Sequence, residues 1–238
     1  MTCIYGEDRI DHTTRILELL SQDNVIAVFP SNVSREVVAK AGHKLDFDNS
    51  IILPHITLEE VYAERNPSFH GSDDITVAFI GTPAHLKGWD VFWDLAKRYD
   101  PEGTLKFLVF STKPPVPGNY RWVPVHTTAE APRAMIDALE SHNVDIVIIW
   151  PGWAETFSLT TCEAIAGGAY IVTNSWSGNV AQLVKMHSRG TVLNSHSELL
   201  DFLSSDSLLD AVEFIRTMRS KSRIIIENSM LTYEVVGK

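Results

Sequence analysis

The chain has 238 residues, which is enough for one large domain or for one domain and a fragment. Hydrophobic residues make up 45% of it and charged residues 21%, as in globular proteins with a buried core. The formal net charge of −10 argues against a protein that coats nucleic-acid phosphates, because such proteins present a basic face. We therefore expect no nucleic-acid partner, whereas one small anionic ligand is compatible with this charge.

Cysteine usage and the N-terminal residues bear on location. Cys3 and Cys162 are far apart, and neither has the spacing of a zinc ligand, so we expect no metal site. Charged residues occupy the N-terminus where a signal peptide needs an apolar run, and no apolar run approaches the ~20 residues of a membrane span. These features predict a cytoplasmic protein without a transmembrane segment, and they leave peripheral membrane contact open.

Short, nearly continuous apolar runs alternate with amphipathic segments along the chain. The runs predict strands buried on both faces of a sheet: Val25–Phe29, Ile75–Ile80, Leu105–Phe110, Ile146–Trp150 and Tyr170–Thr173. The segments between them predict helices: Val91–Tyr99, Ala131–Ser141, Leu159–Ala166 and Val180–His187. This alternation predicts an α/β fold, a Rossmann-like parallel sheet with helices on both faces.

Composition also suggests how the chain is divided. Asn66–Asp74 is polar and rich in helix breakers, so we interpret it as a linker. Ser207–Val236 has a mostly helical pattern with a break near Lys221–Ser222. We therefore predict an N-terminal portion with its linker over residues 1–70, a βα domain over 71–204, and C-terminal helices over 205–238 that pack back over the domain.

Two loops that follow predicted strands contain residues suited to an anionic ligand. Ligands of parallel sheets bind beyond the carboxyl ends of the strands. After Ile75–Ile80, Gly81 permits a sharp turn and Lys87 offers a point charge for a phosphate, although a glycine and a lysine in a loop are weak evidence alone.

After Ile146–Trp150, Glu155 lies in a loop, a helix begins near Ser158, and Glu163 follows about one turn into that helix. The first amides of a helix bind anions, and a nearby carboxylate can accept hydrogen bonds from a ribose diol. Alternatively, Glu155 is a solvated loop charge and Glu163 an ordinary helix residue.

Taken together, these segments resemble a known family. Glu155 and Glu163 lie in the pattern P-x-x-x-E-x-F-x-L-x-x-x-E-A-x-A-x-G, which resembles the paired-glutamate signature of retaining GT-B glycosyltransferases such as glycogen and sucrose synthases. Phe79–Gly88 is similar to the G-R-x-x-x-K-G loop of that family, and Ser177–Gly190 to its G-G-x-x-E-x-V stretch. The resemblance extends from about Asp23 to Tyr233 and implies one half of a GT-B fold with a partial N-terminal remnant.

The resemblance implies a role for each matching residue. Glu163 would bind the ribose and Glu155 the donor sugar, while Lys87 would neutralise charge on the diphosphate as the glycosidic bond breaks. The other implied contacts are the phosphate loop at Gly81 and Thr82, the helix amides of Ser158, Leu159 and Thr160, and the base contacts Val125 and His126. The donor would be a UDP-, GDP- or ADP-sugar, with no permanently bound cofactor and no metal held by the protein.

Several positions depart from the family pattern. Thr82 replaces the arginine that accompanies the lysine, which removes a charge-assisted diphosphate contact. Thr156 and Ser158 replace two glycines, and Gln182 replaces a glutamate. These changes leave a second hypothesis open, a non-catalytic nucleotide-sugar-binding or assembly module.

The chain also matches only the end of the acceptor-binding half. We therefore expect an incomplete or weakly active transferase whose acceptor, a glycan, lipid or protein, is selected by residues outside this sequence. Asp46-Phe47-Asp48 looks like a metal-binding DxD motif but has no supporting context, while Trp153 is placed to line a sugar site.

Overall fold

A computed structural model of the chain describes residues 14–19, 22, 25–40, 50–62, 74–99 and 103–228. They fall into two compact units, Met1–His55 with Ser229–Lys238, and Ile56–Asn228. Most of the predicted linker, the Asp46-Phe47-Asp48 motif and the tail around Tyr233 lie outside the described residues. No helix among the described residues is long and apolar enough to cross a lipid bilayer.

The first unit contains a small parallel strand pair. Its described elements are α1 (residues 14–19), β1 (Ala27–Phe29), α2 (Asn32–Lys40) and β2 (Ser50–Ile52). β1 and β2 pair in parallel, as expected for strands joined by a helix. The amide of Ser34 donates to Ser31 Oγ (3.0 Å) at the start of α2, which is the hydrogen bond typical of a helix N-cap.

The second unit contains the remaining described elements. In chain order they are β3 (Ile56–Tyr62), β4 (Ile75–Ile80), a 3₁₀ turn (His85–Lys87), α3 (Trp89–Arg98), β5 (Leu105–Ser111), β6 (Arg121–Pro124), α4 (Ala134–Ser141), β7 (Ile146–Ile149), α5 (Leu159–Ala166), β8 (Tyr170–Asn174), α6 (Asn179–His187), β9 (Gly190–Leu193), α7 (His196–Leu203), α8 (Asp206–Lys221) and β10 (Ser222–Asn228).

Six of these strands form one parallel sheet in the order β6-β5-β4-β7-β8-β9. This is the doubly wound order of Rossmann-like folds, in which the chain reverses its direction of progress between the first and fourth strands, here β4 and β7. The predicted fold class, a Rossmann-like parallel sheet with helices on both faces, is confirmed. A ligand is expected beyond the carboxyl ends of β4 and β7, where the strand order reverses.

Both faces of the sheet are covered, which explains why its strands are continuously apolar. Along β7, Val147 and Ile149 belong to one core and Ile146 and Ile148 to the other, because side chains alternate between the faces of a strand. At about 25 cal/mol per Å² of buried apolar area, these two cores are the main source of stability. They provide a rigid frame for the loops at the sheet edge.

The C-terminal region differs from the sequence prediction. α8 ends at Lys221, where the pattern breaks, but Ser222–Asn228 forms a strand instead of continuing as helix. Three successive isoleucines beginning at Ile224 explain this, because β-branched residues favour strands. The new strand pairs antiparallel with β3, so Ile56–Tyr62 belongs to the second unit although the sequence grouped it with residues 1–70.

A buried ion cluster attaches α8 to the start of the sheet. The carboxylate of Asp145, just before β7, accepts from Arg216 Nε (3.0 Å) and Nη2 (2.8 Å) and from the amide of Thr76 (3.1 Å). Arg219 Nε donates to the carbonyl of Gly168 (2.6 Å), and its Nη2 lies 3.4 Å from Asp145. Such a network is costly to break, because removing one partner leaves the other charges buried.

Candidate active site

The loop after β4 is held against the end of β7 by glycines. Gly81 and Gly88 have φ angles of +95° and +82°, a region that L side chains rarely adopt. A Cβ on Gly88 would lie 2.2 Å from the carbonyl oxygen of Trp150, so only glycine fits. The preceding turn is fixed by Gly152, whose amide donates to the carbonyl of Leu86 (3.0 Å). This packing places Lys87 beside the loop that follows β7.

Lys87 forms an ion pair with Glu155. Lys87 Nζ lies 2.7 Å from Glu155 Oε1, and Trp153 Nε1 donates to the same oxygen at 2.7 Å. The carboxylate side chain is only 12% exposed, so the contact with Lys87 is better shielded than a surface pair. Within the described part of the chain, Oε2 of Glu155 has no hydrogen-bond partner, so it can accept hydrogen bonds from a ligand.

The backbone of Glu155 is fixed by the loop between β8 and α6. Its amide donates to the carbonyl of Ser177 (3.1 Å), and its carbonyl accepts from the amide of Asn179 (2.8 Å). Gly178 has a φ of +65°, and a Cβ on it would lie 2.7 Å from the carbonyl oxygen of Glu155. The two loops therefore form one rigid backbone frame beneath the carboxylate.

The N-terminus of α5 presents two amides that have no hydrogen-bond acceptor within the described residues. Ser158 is the N-cap, and its Oγ accepts from the amide of Thr161 (3.3 Å). The amide of Ser158 donates to Oδ1 of the buried Asn179 (3.1 Å). Of the three amides that the sequence suggested for a diphosphate, that of Ser158 is therefore occupied. The amides of Leu159 and Thr160 have no acceptor among the described residues.

Glu163 lies one turn further along α5. A Cβ on Gly81 would be 3.3 Å from Thr160 Cγ2, so this face of the helix abuts the loop after β4. Residues three apart share a helix face, which places Glu163 behind Thr160 on the same side. Burial raises the pKa of Glu163 to about 7, since a carboxylate loses hydration there.

The other predicted contacts lie at the same edge of the sheet with less structural support. Val125 follows β6, and its backbone is already paired, its amide with Ser111 (3.1 Å) and its carbonyl with Thr112 Oγ1 (3.3 Å). His126 and Thr82 are exposed. Lys113, also exposed, follows β5 and is a second cation at this edge, which the sequence analysis did not single out.

The structure thus brings Lys87 into contact with Glu155 and packs the start of α5 against the loop after β4, and a binding role for these residues stays a prediction. It also assigns positions to two residues that the sequence analysis missed. Asn179 acts on a residue 21 positions away, and Trp176 donates from Nε1 to the carbonyl of Pro151 (3.1 Å), 25 positions away. The signal that could have indicated them is their position in the loop after β8, next to the loop of Glu155.

A second concave region lies elsewhere on this unit. A cavity of about 980 Å³ runs along the edge strand β9 and is lined by Tyr170, Phe202 and Phe214 among others, away from the paired carboxylates. We place the candidate site at the carboxyl edge instead, because the charged side chains and unpaired amides converge there. In residues 14–228, as far as they are described, no cluster of His, Cys, Asp or Glu could hold a metal ion.

Comparison with known proteins identifies the fold. No protein-family model matches the chain, and no curated protein matches it in sequence. Among solved structures, WaaG, a glycosyltransferase involved in lipopolysaccharide biosynthesis, is 14% identical with a TM-score of 0.60, covering 90% of this chain and 64% of that one. Anabaena HepE in complex with UDP and glucose is 13% identical with a TM-score of 0.58, covering 89% and 62%.

The apo structure of OtsA is also similar, at 10% identity and a TM-score of 0.54, covering 89% of this chain and 59% of that one. At these identities the likeness establishes the fold alone, which matches a Rossmann-like half of the GT-B fold. The chain spans less than two thirds of the length of each of these three proteins.

Proposed function

We propose that the chain binds a nucleotide-diphosphate sugar at the carboxyl edge of its six-stranded sheet and supplies the donor-binding half of a retaining glycosyltransferase. One observation supports the proposal most strongly: Lys87 and Glu155 meet between the loops that follow β4 and β7, where the strand order reverses, and α5 begins directly after the second loop with two amides that have no acceptor among the described residues. Ligands of open α/β sheets bind at this position.

Each group has a distinct task in donor binding. The amides of Leu159 and Thr160, at the positive end of the helix dipole, bind the diphosphate, and Lys87 adds a full positive charge. Glu163 accepts hydrogen bonds from the ribose hydroxyls. Glu155 offers Oε2 to the hydroxyls of the sugar, while Trp153 holds its Oε1.

The same groups assist the chemical step. Transfer breaks the bond between the anomeric carbon and the diphosphate oxygen, and negative charge develops on the leaving diphosphate. Lys87 and the two amides stabilise that charge. Lys87 contacts Glu155 in this structure, and the further donors of its ammonium group can serve the diphosphate. The acceptor hydroxyl then bonds to the anomeric carbon on the face that the diphosphate leaves and passes its proton to the departing diphosphate oxygen, which retains the anomeric configuration.

Calorimetry with UDP, GDP, ADP and UDP-glucose tests donor binding. UDP-glucose is included because HepE has been crystallised with it. We expect saturable binding of one nucleotide, weakened at least about tenfold by Lys87→Ala or Glu163→Ala, since each removes a charged contact. The exposed residues Lys185 and Glu213 provide matched controls, Lys185→Ala and Glu213→Ala, which should bind like the wild type.

The second candidate function is a module without transferase activity. It is favoured by Thr82, an exposed hydroxyl where the family carries an arginine. Absence of binding for every nucleotide in the panel would contradict donor binding and favour this alternative. Nucleotide binding that Lys87→Ala and Glu163→Ala leave unchanged would contradict the site.

A further inference from the structure

Large apolar side chains remain exposed in the loops near Glu155. The indoles of Trp153 and Trp176 are 44% and 45% exposed, and so are Leu86, in the loop after β4, and Leu159, the first residue of α5. Tryptophan is highly buried on average, and contiguous exposed apolar surface commonly marks a binding site. The exposure of these apolar side chains is unusual, because a protein with a net charge of −10 has many charged residues that could occupy this edge instead.

Both indoles are held in fixed orientations by their N–H groups. Trp153 Nε1 donates to Glu155 Oε1 (2.7 Å), and Trp176 Nε1 donates to the carbonyl of Pro151 (3.1 Å). The ring of Trp176 also meets that of Trp150 edge to face, with centroids 6.0 Å apart at 87°. The polar atoms of the indoles are thus turned into the protein. A ligand that stacks on the faces of these rings therefore costs little side-chain conformational entropy, because the rings are already ordered.

The two indoles belong to loops that are bonded to each other. Residues 151–155 and 175–179 are joined by the backbone hydrogen bonds of Glu155 with Ser177 and Asn179. The side chain of Asn174 adds a further bond to the carbonyl of Pro151 (3.0 Å). The apolar surfaces and the unpaired Oε2 of Glu155 therefore share one rigid frame.

We infer that Trp153 and Trp176 form the apolar walls of the glycosyl subsite and that the transferred group is a neutral hexopyranose. A pyranose has an apolar face of C–H groups that packs on an aromatic ring, and hydroxyls at its rim that donate to a carboxylate. Glu155 disfavours a sugar acid, because like charges at a shielded position repel. This inference depends on the proposed function and deepens it.

The test compares the affinity for a nucleotide with that for its sugar derivative. The ligands are UDP and UDP-glucose, or GDP and GDP-mannose or ADP and ADP-glucose if those bind better. The Kd of the nucleotide divided by the Kd of its sugar derivative isolates the contribution of the sugar. We expect Trp153→Ala and Trp176→Ala each to lower this ratio about tenfold while the Kd of the nucleotide changes less than about twofold.

Three further variants and one further ligand make the result specific. Trp153→Phe and Trp176→Phe keep an aromatic face and should retain most of the ratio, and Phe214→Ala removes an exposed ring elsewhere and should leave it unchanged. A glucuronic acid derivative of the same nucleotide should bind at least about tenfold more weakly than the glucose derivative.

The outcomes separate this inference from the proposed function. If no nucleotide binds the wild-type protein, the proposed function fails. If a nucleotide binds but neither Ala variant changes the sugar ratio, the aromatic walls are wrong and the exposed indoles serve an acceptor or a partner protein. Equal affinity for the glucose and glucuronic acid derivatives would overturn the assignment of a neutral sugar.

Discussion

At the scale of single residues, Glu163 should make donor binding depend on pH. Its pKa is raised from 4.5 to about 7 by burial, and only the ionised carboxylate accepts both ribose hydroxyls. The Kd should therefore increase as the pH falls through 7, by up to about tenfold per pH unit below the pKa. Calorimetry between pH 6 and 8 measures this effect. The Kd of the Glu163→Gln variant should lack the pH dependence that arises from this carboxyl group.

The same raised pKa affects the stability of the fold in the opposite direction: rising pH strengthens donor binding but lowers the contribution of this group to stability. Between pH 4.5 and about 7 the folded protein holds a proton that the unfolded chain releases, so this group lowers the stability as pH rises through that window. Urea midpoints of the wild type relative to Glu163→Gln should accordingly decline from pH 5 to pH 7. A rising difference, or pH-independent nucleotide binding by the wild type, would contradict the environment assigned to Glu163.

At the scale of elements, the loop that carries Lys87 depends on Gly88. Gly88→Ala introduces a Cβ 2.2 Å from the carbonyl oxygen of Trp150 at a φ of +82°, and should destabilise the protein by about 3 kcal/mol. Gly152→Ala is the matched control, since its Cβ would meet only Leu86 Cδ2 at 3.9 Å, and should change stability by less than about 0.5 kcal/mol. Urea denaturation compares the two, and equal midpoints would refute the close packing.

The elements also show what sequence reasoning can and cannot predict. Four of the six strands of the parallel sheet, β4, β5, β7 and β8, were predicted, because burial on both faces produces continuous apolar runs such as Ile75–Ile80. The predicted strand at Val25–Phe29 pairs instead with β2 in a separate two-stranded sheet. Glu155 and Glu163 are connected by one loop and one helix turn, and the donor site inferred from their spacing stays a prediction. Ser222–Asn228 was not predicted as a strand, since its partner Ile56–Tyr62 lies more than 150 residues earlier. Asn179 and Trp176 likewise act only through long-range contacts.

At the scale of the whole second unit, the cluster around Asp145 joins the C-terminal helix to the sheet. Asp145→Ala should destabilise the protein by about 3–5 kcal/mol, because it leaves Arg216 and Arg219 partly buried without their carboxylate. Asp94→Ala breaks an exposed pair with Arg98 and should cost less than about 1 kcal/mol. Urea denaturation distinguishes them, and similar small losses in both variants would show that α8 is attached by apolar packing alone.

The central claim is that the carboxyl edge of the sheet binds a nucleotide sugar between Lys87, Glu155 and the start of α5. A crystal structure with UDP-glucose, or with the sugar nucleotide that binds best, tests it most directly. We expect diphosphate oxygens within hydrogen-bond distance of the amides of Leu159 and Thr160, ribose hydroxyls on Glu163, and the sugar at Oε2 of Glu155. Density for the nucleotide along β9, or in any other place that leaves these groups without ligand contacts, would contradict it.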